Sequence, residues 1–158
     1  MKKYIQTMIL AVAALGSWFR RETAAANTYD AAVETHESVM NRTNDAAITA
    51  RHLLWKAGAT DAGVALGDAT SVPLGTIDNI TTLTGINQTV NLLGKGPTKK
   101  MVANAAITVG ARVYTAAAGK VSPTFGGTLF QVGIALTAAA ADGDVIEVSD
   151  CTPVKTNT

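Results

Sequence analysis

After residue 32, the chain alternates between short apolar runs and turns rich in glycine and polar residues. Residues 129–136 form a nearly continuous apolar run, and the partly alternating run 144–148 follows the turn dipeptide Asp142-Gly143. Runs of this length between turn formers predict β-strands. Because such runs recur roughly every ten residues without helical periodicity, the pattern favours a mainly β domain, either a small antiparallel β-barrel or a sandwich.

Strands are also predicted over residues 48–56 and 72–77 and from Val113 onward, and residues 144–148 are expected to form the last strand. Pro73 places the run 72–77 at a sheet edge or at a strand start, because proline donates no ladder hydrogen bond.

Two glycines give further expectations. Gly133 lies within the predicted strand 129–136, where glycine weakens a strand unless something packs closely against it. Gly119 is expected only to end a strand at a turn. Because side chains alternate along a strand, Gly133 and Ala135 should share one face, and the opposite face should carry Val132, Ile134 and Leu136.

A faint internal similarity relates the pattern Val72-x-Leu74-Gly75 to Phe130-x-Val132-Gly133. Two related halves would produce it, and so would chance in a chain rich in glycine and valine. The similarity alone therefore predicts no repeat.

The first 21 residues differ from the rest because apolar side chains recur at alternating spacings of three and four, which predicts a helix with one apolar stripe. A lone helix of this length is marginal in water, so we expect it to dock on its own domain, on another subunit or on a larger assembly. The predicted organisation is an arm (1–21), a linker (22–32), a β-domain (33–151) and a C-terminal tail (152–158). The predicted partner-binding residues of the arm are Ile5, Met8, Val12, Leu15, Trp18 and Phe19.

The basic start and apolar middle of this segment also imitate a secretory signal peptide. Arg20, Arg21 and Glu22 argue against that interpretation because they lie where such a peptide is neutral. The apolar run is too short to span a bilayer, so no membrane partner is expected.

Composition narrows the functional classes. Charged residues make up 16% of the chain, which suits a domain that buries surface against neighbouring molecules. A formal net charge of +1 gives no electrostatic argument for nucleic acid as a partner. The single cysteine, Cys151, excludes a disulfide framework and a cysteine metal cluster within the chain.

No motif predicts an enzyme, a cofactor or a metal site. His36 and His52 lie on different predicted elements, and Glu34, His36 and Glu37 are better explained as a polar strand face than as metal ligands. Residues 95–100 contain glycine, lysine and threonine but lack the order of a phosphate-binding loop. They predict a basic surface loop, in which Lys95, Lys99 and Lys100 are candidate contacts with an acidic partner surface.

The order A-I-x-V-G-x-x-V-Y … G-K-V … V-G-x-A-L-x-A-A-A-x-G-D-x-I-E-V, which runs from Ala106 to Val148, resembles the C-terminal half of a family of tailed-phage capsid decoration (cement) proteins. Residues 46–58 and the tripeptide Pro73-Leu74-Gly75 are similar to earlier parts of that family. The resemblance covers roughly residues 33–151 and consists of barrel-building positions.

This resemblance implies a structural protein that binds the outer surface of a phage capsid and stabilises it through contacts between subunits. Its expected partners are the major capsid protein and further copies of itself, as a homotrimer or a threefold cluster. The resemblance also makes the capsid shell a candidate partner of the arm and of the loop that carries Lys95, Lys99 and Lys100. The alternative from another class is a secreted or surface-displayed β-domain that binds a ligand or receptor after signal-peptide cleavage.

Overall fold

The computed structural model describes residues 39–96, 98–149 and 151–156, all within one compact unit, Glu37–Thr158. The predicted arm, the predicted linker and residues 33–38 lie outside the described residues. The first half of the unit contains β1 (Val39–Asn44), β2 (Leu53–Ala57), β3 (Gly63–Leu66), β4 (Gly75–Ile77) and β5 (Asn87–Leu92). The second half contains β6 (Thr98–Val102), β7 (Arg112–Thr115), the 3₁₀ turn Ala117–Gly119, β8 (Val121–Ser122), β9 (Phe130–Ala135), β10 (Val145–Ser149) and β11 (Val154–Lys155). The mainly β prediction is confirmed.

The first half is a closed barrel in the order β1-β3-β2-β4-β5, and it closes where β5 pairs with β1. Most of its strand pairs are antiparallel, as predicted. The exception is β1 with β3, which run parallel and pair Thr43 with Gly63 and Asn44 with Val64. The expectation of a purely antiparallel barrel is therefore wrong at this seam, because β2 lies between β1 and β3 in sequence and carries the chain back.

The second half is a six-stranded sheet in the order β6-β10-β9-β7-β8, with β11 added on β9. A parallel bridge between Ala103, just after β6, and Val121 of β8 connects the two ends of this order. Strands β6 to β10 therefore pair in the same order as strands β1 to β5. In both halves the contact between the first and the third strand is parallel.

Individual contacts repeat as well. The bridge between Ile48 and Thr81 in the first half corresponds to the bridge between Ile107 and Ala139 in the second. Two glycines at equivalent turns donate equivalent backbone bonds: Gly85 N–H to the Asn44 carbonyl at 2.8 Å, and Gly143 N–H to the Ala103 carbonyl at 2.9 Å. The two halves are a structural duplication.

The weak similarity around Gly75 and Gly133 marks one pair of equivalent positions in this duplication. A methyl group on Gly75 would lie 2.3 Å from the Asn91 carbonyl oxygen, and one on Gly133 would lie 2.2 Å from that of Ser149. Each glycine therefore lets a neighbouring strand approach closely, which confirms the expectation for Gly133.

Each half has its own hydrophobic core, and β2 contributes to both. Trp55 lies in the core of the first barrel with Ile48, Val64, Ile77 and Val90. Leu54, the preceding residue, packs into the core of the second half with Met101, Val113, Val132, Ile146 and Val148. Since neighbouring side chains on a strand point to opposite faces, β2 is the wall between the two cores.

The loop after β3 joins the halves with hydrogen bonds. Thr115 Oγ donates to the Ala69 carbonyl at 2.5 Å, and Gly119 N–H donates to the Gly67 carbonyl at 2.8 Å. Gly119 has a φ of 69°, and a methyl group there would meet the Leu54 carbonyl oxygen at 2.7 Å. The expectation that Gly119 only touches a turn is therefore wrong, because this residue is buried at the contact between the halves.

Three predicted strands need correction. Residues 48–56 do not form one strand, because His52 has a φ of 64° and interrupts the extended backbone, so β2 begins at Leu53. In the run 72–77, only Gly75–Ile77 is a strand. The run 144–148 matches β10 but is not the last strand, since β11 follows within the segment predicted as a tail.

A bulge in β9 changes which side chains face the core. Val113 pairs with Gly133 while Tyr114 pairs with Gln131, so Val132 is the extra residue on its strand. Val132 and Ala135 are consequently both buried, whereas Leu136 is 43% exposed. The prediction that Val132 and Leu136 share one face is wrong for this reason.

We expect Gly133→Ala to destabilise the protein by about 2–3 kcal/mol or more, because strand β10 has to move away from the added methyl group. Gly126→Ala is the matched control: its methyl group meets only the flexible end of Leu129, at 3.1 Å. Thermal or denaturant unfolding measures both changes. Similar losses in the two variants would contradict the close packing described at Gly133.

Asp68, in the loop after β3, accepts hydrogen bonds from the Lys56 ammonium at 2.7 Å, from the Ser71 hydroxyl at 2.8 Å and from the Thr70 N–H at 2.9 Å. The Lys56 ammonium is the main reason that the pKa of Asp68 lies well below its usual range. Because the folded state lowers this pKa, the carboxylate stabilises the fold above pH ~4, the pKa of an unfolded-state aspartate, and that stabilisation is lost as the pH falls further.

We therefore expect Asp68→Asn to lower the free energy of unfolding at pH 7 by about 0.5–1 kcal/mol, a modest value because the ion pair is partly exposed. The difference from the unmodified chain should shrink between pH 5 and pH 2. Asp61→Asn serves as control, since Asp61 is exposed and forms no ion pair within the described part of the chain. A pH-independent difference for Asp68→Asn, measured by urea unfolding, would contradict this role.

Candidate interaction surface

The two halves meet along the outer face of the first barrel. On this face, Leu54 and Thr76 are cross-strand partners and both are buried, although neither points into the first core. The opposing surface belongs to β6 and β10 of the second half. Two concave regions lie along this junction, one polar and one apolar.

The polar cleft has a volume of about 270 Å³. Within it, His52 Nδ1 lies 2.7 Å from Asp78 Oδ1, and Asn91 donates a hydrogen bond of 3.0 Å to Asp78 Oδ2. Across the cleft, Thr98 Oγ donates to Glu147 Oε1 at 2.6 Å. The carboxylates of Asp78 and Glu147 thus both have hydrogen-bond partners within the protein.

The lysines predicted as a shell-contact loop separate in the structure. Lys95 lies in the turn after β5, whereas Lys99 and Lys100 belong to β6, because the whole of Thr98–Val102 pairs with β10. Lys99 and Lys100 both line the polar cleft, and Lys100 lies directly opposite Glu147. Their contact with a shell stays a prediction, and the arm residues predicted to bind a partner lie outside the described residues.

The apolar groove is larger, with a volume of about 570 Å³. Buried Leu53 and Val102 contribute to its lining, and Ile80 and Val145 lie at it with 51% and 49% of their surfaces exposed. Its basic side chains are Arg51, His52 and Lys120. The groove therefore combines an apolar lining with positive charge.

His52 lines both regions and is in a left-handed backbone conformation, with a φ of 64°. Its equivalent in the second half is Gly110, which has a φ of 82°. The two residues make the same backbone bond, from His52 N–H to the Ile77 carbonyl at 2.9 Å and from Gly110 N–H to that of Ala135 at 2.8 Å. A histidine thus stands where the duplicated fold elsewhere uses glycine.

The sequence pattern does not predict the groove, because Arg51 and His52 fall within the predicted strand 48–56 and Ile80 lies in no predicted element. One signal was present: Ala47-Ile48-Thr49 repeats as Ala106-Ile107-Thr108. Aligning these tripeptides places His52 near Gly110 and draws attention to the difference.

Among the described residues, no group of three or more histidine, cysteine, aspartate or glutamate side chains is placed to hold a metal ion. The acidic turn at 142–144 is held instead by hydrogen bonds from the Ala140 and Ala141 N–H groups to Asp144. Cys151 is buried, and its thiol donates to the Val148 carbonyl at 3.1 Å. The described part of the chain contains no helix long and apolar enough to cross a membrane.

Comparison with known proteins gives a result for the fold alone. No family model matches the sequence, and no curated protein matches it. Among solved structures, the chain is similar to the head fiber gp8.5 N base of bacteriophage phi29, with a TM-score of 0.53 and 18% sequence identity. The similarity covers 74% of this chain and 97% of that one. At this level of identity, the two chains share a β fold across nearly the whole of the head fiber base.

Proposed function

We propose that this chain is a structural protein of a tailed-phage head that decorates the outer surface of the capsid shell and stabilises it. The observation that carries the proposal is the shared fold with a phage head fiber base, which extends over nearly all of that base. The sequence resemblance to capsid cement proteins over residues 33–151 supports the same role independently, because it rests on residue patterns and not on coordinates.

The described surface fits a protein that associates with others. Of its exposed large apolar side chains, Ile80 and Val145 both line the apolar groove, and partner proteins cover apolar surface of this kind. The partners proposed are the major capsid protein and further copies of this chain, in a homotrimer or a threefold cluster. Analytical ultracentrifugation that finds only monomers would argue against self-association.

The predicted arm extends this proposal. An apolar helical stripe needs a partner in water. Burial of the five side chains spaced by three or four residues contributes up to about 1.5–3 kcal/mol each before the costs of ordering and association; they are Ile5, Met8, Val12, Leu15 and Phe19. Repeated in several subunits, the gain is amplified by avidity. We therefore place the arm among the groups that anchor the protein to the shell.

Co-sedimentation with phage particles that lack this protein tests the role. We expect the intact chain to saturate the particles and a chain lacking residues 1–21 to bind at least tenfold more weakly. Electron microscopy of the decorated particles should show added density on the outside of the shell. Absence of binding by the intact chain, or density inside the head or on the tail only, would overturn the proposal. Equal binding by the truncated chain would remove the arm as an anchor and leave the decoration role standing.

A further inference from the structure

The apolar groove between the halves is suited to one kind of partner. We infer that it docks a segment of the capsid shell protein in which an aliphatic side chain lies next to a carboxylate. This inference rests on the proposed function and names the surface that performs it.

The shape and lining of the groove supply the apolar part of the argument. Its volume of about 570 Å³ leaves room for at least one side chain of a partner. Ile80 comes from the loop after β4 and Val145 from β10, so the two half-exposed side chains approach the groove from different halves. An aliphatic side chain inserted between them removes apolar surface of both from water.

Charge specifies the second part of the partner. Arg51 is exposed at the groove and forms no ion pair with any described residue, whereas Lys120 is paired with Asp142 at 2.7 Å. Arg51 is therefore the cation at the groove that is available to a partner. A guanidinium binds a carboxylate through two parallel hydrogen bonds, which favours an acidic residue in the docked segment.

The duplication provides an independent reason to assign a role to this groove. The fold needs a left-handed residue at the position of His52, and Gly110 shows that glycine suffices there. A non-glycine residue in this conformation costs free energy, and such strain concentrates at binding sites. Nδ1 of His52 is engaged by Asp78, so Nε2 is the ring nitrogen left to bond the docked segment.

The same segment is one residue longer in the first half. His52 follows Ile48 by four residues, whereas Gly110, the equivalent of His52, follows Ile107 by three. The longer segment is the one that contributes Arg51 to the groove. The extra residue, the unpaired arginine and the left-handed histidine thus all lie in one segment of the first half, at the groove.

Binding to particles that lack this protein tests the inference. We expect Ile80→Lys and Arg51→Glu each to weaken binding of the full chain at least tenfold. The matched controls are Val109→Lys, at a position 64% exposed and away from the groove, and Arg112→Glu on β7. Both controls should bind within about twofold of the unmodified chain. Arg51 is exposed and packs in neither core, so its substitution remains informative if Ile80→Lys fails to fold.

His52→Gly separates function from structure. Glycine relieves the left-handed strain, but the variant loses the hydrogen bond to Asp78 and gains flexibility in the unfolded chain, so we expect the melting temperature to change little while particle binding weakens severalfold. A lowered melting temperature with unchanged binding would make His52 a structural residue and contradict its role in the groove.

The outcomes separate the two proposals. If the unmodified chain does not bind particles, the proposed function fails and this inference fails with it. If it binds and both groove variants bind equally well, the groove is not the docking site while the decoration role stands. If the groove variants change self-association in ultracentrifugation and leave particle binding intact, the occupant is a second copy, and the inference is wrong.

Discussion

Strand β2 is the constraint on which the architecture depends. Its successive residues Leu54 and Trp55 are almost completely buried, but in different cores. A strand buried on both faces cannot shift its pairing by one residue without exchanging the two side chains between cores. A fully buried leucine is typically worth about 2–5 kcal/mol against alanine, so the register of β2 is strongly fixed. The loop bonds from Thr115 and Gly119 then hold the second half against this strand.

Because the two halves share one fold, equivalent positions can be compared directly. Positions where the halves carry different residues then point to features that one half has and the other lacks. Asn44 is buried. Its side-chain Nδ2 donates to the Ala46 and Leu83 carbonyls at 2.8 and 2.7 Å, and its side-chain Oδ1 accepts from the Ile86 N–H at 2.9 Å. Its equivalent in the second half is Ala103, which makes no such side-chain bonds. In the first half, a buried polar side chain thus orders the 83–86 loop, and a histidine in a left-handed conformation lies at the groove. These departures from the common plan are confined to the half that bears the exposed Ile80 and Arg51.

The sequence predicts the parts of the fold that local patterns control. The apolar run before Leu136 and the alternation after Gly143 correspond to β9 and β10, because strand length and turn chemistry are local properties. The bulge at Val132, the left-handed His52 and the parallel seam of the first barrel depend on contacts between distant residues, and no local pattern contains them. The groove was unpredictable for the same reason, since its lining comes from segments far apart in the chain. The sequence predicts Lys99 and Lys100 in a basic surface loop, whereas in the structure both residues belong to strand β6.

Because β2 belongs to both cores, we expect the two halves to unfold as one cooperative unit. Unfolding in urea measures this directly when tryptophan fluorescence and far-UV circular dichroism are recorded together in a Trp18→Phe background. Trp55 then reports the first core alone, while the dichroism reports the strands of both halves. We predict that the two transitions coincide and that Leu54→Ala lowers both midpoints by the same amount. Two separated transitions, or a Leu54→Ala shift confined to the dichroism, would show that the halves unfold independently and contradict the shared role of β2.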